Sequence, residues 1–214
     1  MTVQNAIDLA ASTKLKNIAV AKDTAAVLGY LNLGITELYK RFPLRVDEAI
    51  ITLRDNKTEY KVDGTDPDVS MPANSQFMWL VSAYQEVEDT ETTEFDTVLM
   101  PVNEEDNPMS LQTVAWNTVQ IPLSRTGAYV SLIYVAAPAY YTVNNLTEQL
   151  PLPPQMVEPL LEYMAYQAKS SIGTIQDTAL AYQEFEASCS RVEMRGMITS
   201  DDLEMLGRDL KGFV

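Results

Sequence analysis

Along the chain the spacing of apolar residues changes twice, from every third or fourth position to every second, and back again. In "DTAAVLGYLNLGITELYKRFP" the residues Val27, Leu28, Leu31, Ile35, Leu38 and Phe42 fall on one face of a helix, with Asp23 placed to cap its first turn and Pro43 to stop it. Ahead of it, Thr2 heads a shorter helix that carries Val3, Ile7 and Ala10 on one side. The first forty or so residues are therefore expected to be helical.

From Val46 the period becomes two. "AIITLRDNKTEYKVD" reads as a β-hairpin, with its turn at Asp55 and Asn56 and with Thr58, Tyr60 and Val62 alternating against Glu59, Lys61 and Asp63. "SQFMWLVSAYQEV" puts Phe77, Trp79, Val81 and Ala83 on one side, whereas "AYVSLIYVAAP" is apolar on both faces from Val130 to Val135, the pattern of an inner strand. Shorter strands are expected at Thr97 to Met100, Leu111 to Val114 and Thr118 to Ile121. Six or seven short strands between Val46 and Ala137 predict an antiparallel sandwich or small barrel. Two acidic stretches, "QEVEDTETTEFD" from Gln85 and "PVNEEDNP" from Pro101, read as solvated loops.

Helical spacing returns after "LPLPPQ". Pro153 and Pro154 suit a first helical turn, where a missing N–H costs nothing, and Val157, Leu160, Leu161, Met164 and Ala168 form the stripe that follows. Gly173 is placed to end this helix in a left-handed cap, and Thr174 with Asp177 has the pattern of a capping box for the next. That next helix carries Tyr182, Phe185, Cys189 and Val192, and the tight turn makes the two helices an antiparallel hairpin. A last short helix is expected from Ser200 to Gly207, before the tail "RDLKGFV".

The fold class is α+β: N-terminal helices, a central antiparallel β-sandwich or small barrel, and a C-terminal antiparallel helical hairpin. The expected divisions are 1–45 for helices packing with the hairpin, 46–143 for the β domain, 144–199 for a Pro-rich linker and the hairpin, and 200–214 for the short helix and a docking tail.

Composition narrows the function. With 30 acidic against 15 basic residues the net charge is −15, a field that repels phosphate backbones and anionic lipid surfaces. There is no histidine, which removes the commonest general base and metal ligand together. Cys189 is the single cysteine, so neither an intrachain disulfide nor a cysteine zinc site can be assembled, and its place on an apolar helix face makes it a core thiol. No stretch is long and apolar enough to span a bilayer and the N-terminus lacks a basic start. A soluble, non-exported protein is expected, in which the sequons at Asn56 and Asn145 are chance.

Candidate chemistry is sparse. Glu104, Glu105 and Asp106 could form a calcium loop or half of a glycosidase pair, but adjacent carboxylates diverge and a solvated turn is the plainer reading. "DGTDPD", Asp63 to Asp68, alternates oxygens like a calcium loop, yet its glycine falls second instead of sixth and Asn74 stands where the bidentate Glu belongs. No Gly-rich phosphate loop, nucleophile elbow or SxxK pattern occurs; Gly29 and Gly34 sit within a helix, where close packing explains them. No catalytic residue, cofactor or metal is expected. Met194, Met197 and Met205 gather towards the C-terminus, where adaptable apolar contacts suit an interface. Leu203, Met205, Leu206, Leu210, Phe213 and Val214 are the candidate partner-binding residues.

Four phrases, in order, carry a resemblance: "LGYLNLGITELYKRFPLR", "LMPVNEEDNPMSLQTVAWNTVQIP", "VSLIYVAAP" and "LPLPPQMVEPLLEYMAYQAKSS". Together they resemble head-to-tail adaptor (connector) proteins of short-tailed bacteriophages, of the tail-tubular or head-completion type. The resemblance implies a non-enzymatic virion protein, a homo-oligomeric and dodecameric ring between the portal protein and the tail nozzle protein. Its helical part would face the portal and its β domain the nozzle. DNA would pass through without specific binding, no membrane would be engaged, and the protein would sit at the virion neck after assembly in the host cytoplasm. The segment Leu203 to Val214 would dock on the portal. One departure is that similar proteins often carry Arg after the tyrosines of the two later phrases, where this chain has Val135 and Gln167; charge contacts there are not expected. The alternatives are another neck or tail-completion subunit and a carboxylate-based cell-wall hydrolase.

Overall fold

Helix α1 spans Val3–Ser12 and α2 spans Thr24–Arg41, each opened by the side chain expected. The Thr2 hydroxyl accepts from Asn5 N–H, and the Asp23 carboxylate accepts from Ala25 and Ala26 N–H, so donors without an intrahelical partner are satisfied. The computed structural model describes residues 1–16, 23–88, 95–122 and 128–194 of the chain. The expected helix at Ser200 and the residues Met197, Leu203, Met205, Leu206, Leu210, Phe213 and Val214 lie outside the described residues. The chain divides into two compact units, one of Met1–Leu44 with Pro138–Thr199, the other beginning with Arg45–Ala137.

The first unit joins α1 and α2 to a hairpin of α3, Val157–Ile172, and α4, Ile175–Met194. Its core takes Val27, Leu31, Ile35 and Leu38 from α2, with Leu160, Met164 and Ala168 from α3, all buried. Gly34 permits the approach of α2 to α3, because a β-carbon there would lie 2.7 Å from Leu160 Cδ1. Gly29 has no such neighbour, and the close packing expected of it is absent. On α4 the buried stripe is Ala181, Phe185, Ser188, Cys189 and Val192; Tyr182, expected on it, lies at the exposed margin and reaches the Tyr166 ring, 5.2 Å between centroids. Tyr163 of α3 meets Phe185 edge-on at 5.0 Å.

Two details of this unit differ from expectation or were not foreseen. Gly173 ends α3 in extended backbone, φ −90° and ψ 177°, not in a left-handed cap. Its N–H donates to Lys169 O at 2.6 Å, and a β-carbon would meet that same oxygen at 2.7 Å, so glycine serves close approach rather than a positive φ. The prolines of "LPLPP" follow a segment bound to the N-terminus: Glu148 O and Leu146 O accept from Val3 and Gln4 N–H, and Leu150 N–H donates to Met1 O. The orphan donors of α1 are thereby satisfied by a distant part of the chain. Pro154 then opens a 3₁₀ turn, Pro154–Met156, that leads directly into α3.

In the second unit β1 (Val46–Thr52), β3 (Val69–Ser70), β4 (Phe77–Glu88), β5 (Phe95–Met100) and β8 (Tyr129–Ala136) form an antiparallel sheet in the order β3-β1-β8-β4-β5. A second sheet holds β2 (Glu59–Lys61), β7 (Thr118–Gln120) and β6 (Gln112–Ala115), in that order. One apolar cluster draws Ile51, Leu132 and Tyr134 from the larger sheet and Tyr60 and Val119 from the smaller. β8 lies between β1 and β4 and is buried from Val130 through Ala136, as its two apolar faces predict.

The hairpin expected at Asp55 and Asn56 does not form. β1 pairs with β3 and β8, while β2 pairs with β7 in the other sheet. The favoured two-residue hairpin turns need positive φ at the first central residue, and of these two only the second, Asn56, has it, at 61°. The turn instead closes around the Tyr60 hydroxyl, which accepts from Arg54 N–H and donates to Lys57 O, and the chain crosses to the second sheet. Tyr60 and Val62 still point inward, so the alternation holds while the pairing does not.

β4 breaks alternation at two bulges. Between Phe77 and Trp79, and again between Leu80 and Ser82, one extra residue faces a single step of β8. Phe77, Leu80 and Ala83 consequently contribute to the core, whereas Trp79 and Val81, expected beside them, do not join it. The acidic stretch from Gln85 is also less of a loop than expected: residues 85–88 continue β4 and Phe95–Asp96 begin β5.

Candidate interaction surfaces

The clusters singled out in the sequence resolve into ion pairs and turns. In "DGTDPD" the ammonium of Lys57 stands among the carboxylates, 2.7 and 2.9 Å from the two Asp66 oxygens and 2.9 Å from Asp68. Arg54 holds Asp68 from the other side at 2.8 Å, and the Tyr60 ring lies 4.7 Å below Lys57. Burial works against the Asp66 carboxylate, but Lys57 and the N–H groups of Asp68 and Lys61 outweigh it and hold its pKa below the usual range. Hydrogen bonds from Lys57 and Arg54 depress Asp68 likewise. Asp63 is engaged separately, by Thr65 and by the Asn117 amide at 2.7 Å.

Glu104 accepts from the Asn107 amide at 2.9 Å on an exposed turn whose corner, Asn103, has φ 54°. Among the described residues no group of three or more His, Cys, Asp or Glu side chains is placed to hold a metal ion. Cys189 is fully buried; burial pushes its thiol up to about 11, against the opposing influence of Arg41. Arg41 itself ties α2 to α4, with 2.8 Å contacts to both Glu186 and Glu193. Its pKa is raised, chiefly by the Glu193 bond.

Each unit leaves several large apolar side chains in solvent. In the helical unit the turn of the hairpin exposes Ile172 and Ile175, the latter 92% accessible, and the outer side of α4 exposes Leu180 and Met194. In the β unit the β6–β7 turn presents Trp116, 74% accessible, and β5 presents Val98 and Leu99. Isolated exposed apolar residues are ordinary, but a tryptophan on a tight turn is the kind of side chain that anchors protein interfaces. In the sequence Trp116 stands between Ala115 and Asn117, which give it no periodic signal. No helix among the described residues is long and apolar enough to cross a membrane.

A helical unit and a β unit, each built on an apolar core with its charged side chains largely paired and each leaving some large apolar side chains exposed, make up the described chain. The sequence model of the family described as SU10 adaptor protein matches residues 1–203, and the chain belongs to that family. It is a bacteriophage adaptor of the head-tail kind, a structural component of the virion. No curated protein matches the chain.

Proposed function

We propose that the protein forms a ring of identical subunits that joins the portal of the capsid to the tail nozzle and continues the DNA channel at the virion neck. The observation that carries this reading is the exposed apolar surface on each unit, with Ile175 and Leu180 on the helical unit and Trp116 on the β unit, in a chain of the adaptor family. The helical hairpin meets the portal and the β unit the nozzle. The segment Leu203 to Val214, with Leu203, Met205, Leu206, Leu210, Phe213 and Val214, docks on the portal. A dodecamer follows from the resemblance in sequence, and assembly takes place in the host cytoplasm.

The net charge of −15 has a function in this ring: DNA finds no basic partner in the channel wall and slides without sticking. The cell-wall hydrolase alternative has no support in the geometry, since it needs two carboxylates facing one cleft. Glu104 lines a groove of the β unit and Glu105 does not.

Deletion of Asp209 to Val214 tests the docking segment. The truncated protein is expected to unfold at nearly the same temperature as the full chain and to lose assembly on purified portal; normal assembly would falsify it.

A further inference from the structure

Trp116 stands on the β6–β7 turn, 74% accessible, and therefore fills no pocket of its own chain. An exposed indole is among the side chains that carry most of an interface's affinity once a pocket takes it. The same β unit has a groove of about 620 Å³, lined in part by Val81 and Tyr84 of β4, Leu99 of β5, and Pro101 and Glu104 beyond it. That volume accommodates an indole together with neighbouring side chains, and the Tyr84 ring in the wall offers it an aromatic partner.

The turn and the groove lie on different sides of the unit. Ala83 and Met100 pair across β4 and β5 and join the core that Tyr60 and Val119 of the smaller sheet share. Alternation turns the adjoining pair, Tyr84 and Leu99, to the opposite face. Trp116, by contrast, belongs to a turn of the smaller sheet. One chain thus carries both halves of a contact without joining them to each other.

Charge points to the occupant. The described residues of the β unit include four basic side chains, and three are held in ion pairs: Arg45 by Asp47, Arg54 by Asp68, and Lys57 by Asp66 and Asp68. Lys61 forms none among the described residues; it is exposed, and its pairing with Thr118 sets it beside the turn that bears Trp116. Asp63, also at that turn, already accepts from Thr65 and Asn117. At the groove, Glu104 is followed by Glu105 and Asp106, all exposed and none in an ion pair among the described residues. The uncommitted cation accompanies the indole, and the groove that fits the indole has an acidic rim.

We propose that Trp116 of one copy of this chain inserts into the groove of the next copy, with Lys61 set against Glu104, Glu105 and Asp106. The inference rests on the ring reading and names the contact that joins neighbouring β units. Because the two surfaces differ, the contact is head-to-tail, and it leaves one free turn and one free groove until the ring closes.

The test uses the full chain assembled on purified portal. Trp116→Ala should lower assembly about tenfold or more, with an unchanged unfolding temperature, as expected of an anchor on an exposed turn. Leu99→Lys should do the same from the groove side, and the two together should be no worse than either alone, since they remove one contact. Lys61→Glu should weaken assembly severalfold, and Glu105→Lys in the same chain should restore it. With a photoreactive benzoylphenylalanine in place of Trp116, and half of the chains labelled with ¹⁵N, crosslinks should join chains of different label at Val81, Tyr84, Leu99 or Pro101. A parent ring that Trp116→Ala leaves intact, or crosslinks that fall elsewhere, would overturn this contact and leave the ring reading standing. A parent chain that forms no ring would overturn both.

Discussion

Gly34 of α2 lies directly against Leu160 of α3, so closely that a β-carbon at position 34 would stand 2.7 Å from Leu160 Cδ1. Leu160 is fully buried and cannot swing into solvent. Overpacking of this kind costs about 1–3 kcal/mol, against a gain of about 1 kcal/mol when alanine replaces glycine in a helix. Gly34→Ala should therefore lower stability by roughly 1 kcal/mol net. Gly29→Ala, with nothing within 4 Å of the added carbon, should raise it by about the same amount. Urea unfolding of the two variants reads the opposite signs; midpoints that move together would show that α2 and α3 do not pack as described.

The Lys57 loop predicts a pH dependence. Asp66 and Asp68 have folded pKa values below their ordinary one, so the stability they contribute is complete above about pH 4 and is lost as pH falls through the depressed values. Lys57 is raised, so its contribution is complete below its ordinary value and disappears only as alkaline pH passes the folded one. Lys57→Met leaves Asp66, largely buried, without its ammonium partner and should cost about 1–3 kcal/mol at pH 7. The difference from the parent should shrink steadily from pH 5 to pH 2, as protonation relieves the unpaired carboxylates. A difference that stays constant over that range would mean that the ion pair contributes nothing.

The hairpin turn rests on a reciprocal cap. The Thr174 hydroxyl accepts from Asp177 N–H at 3.1 Å, and the Asp177 carboxylate accepts from the Thr174 hydroxyl at 2.7 Å. Thr174→Ala should destabilise the protein by about 1 kcal/mol. Amide exchange should quicken first in the opening turn of α4, after Ile175, and only there.

Cys189 should behave as a core atom. With its thiol raised to about 11 and no exposed surface, it should resist thiol reagents at pH 8 in the folded protein and react fully in denaturant. Reaction at equal rates in both states would place it on the surface.

Much of this architecture is legible in the sequence where one periodicity persists and where a cap has its own side chain. α2, α3 and β8 follow from their apolar spacing, and Asp23, Thr2 and the Thr174–Asp177 pair from cap chemistry. What alternation alone missed was set by particular local events. Two bulges moved Trp79 and Val81 out of the core, and the Tyr60 hydroxyl turned an apparent hairpin into a crossing between sheets. Asn32, buried on the apolar side of α2, was not foreseen because its partner is 109 residues away: its amide bonds both the N–H and the C=O of Tyr141, as a strand would. The surfaces were the least legible. The open edge of β5 exists only once the strand order is known.

The most direct test of the account is electron microscopy of the purified protein mixed with purified portal. The account predicts a closed ring of this protein seated on the portal, with a continuous axial channel. Failure to bind portal at any stoichiometry would contradict it.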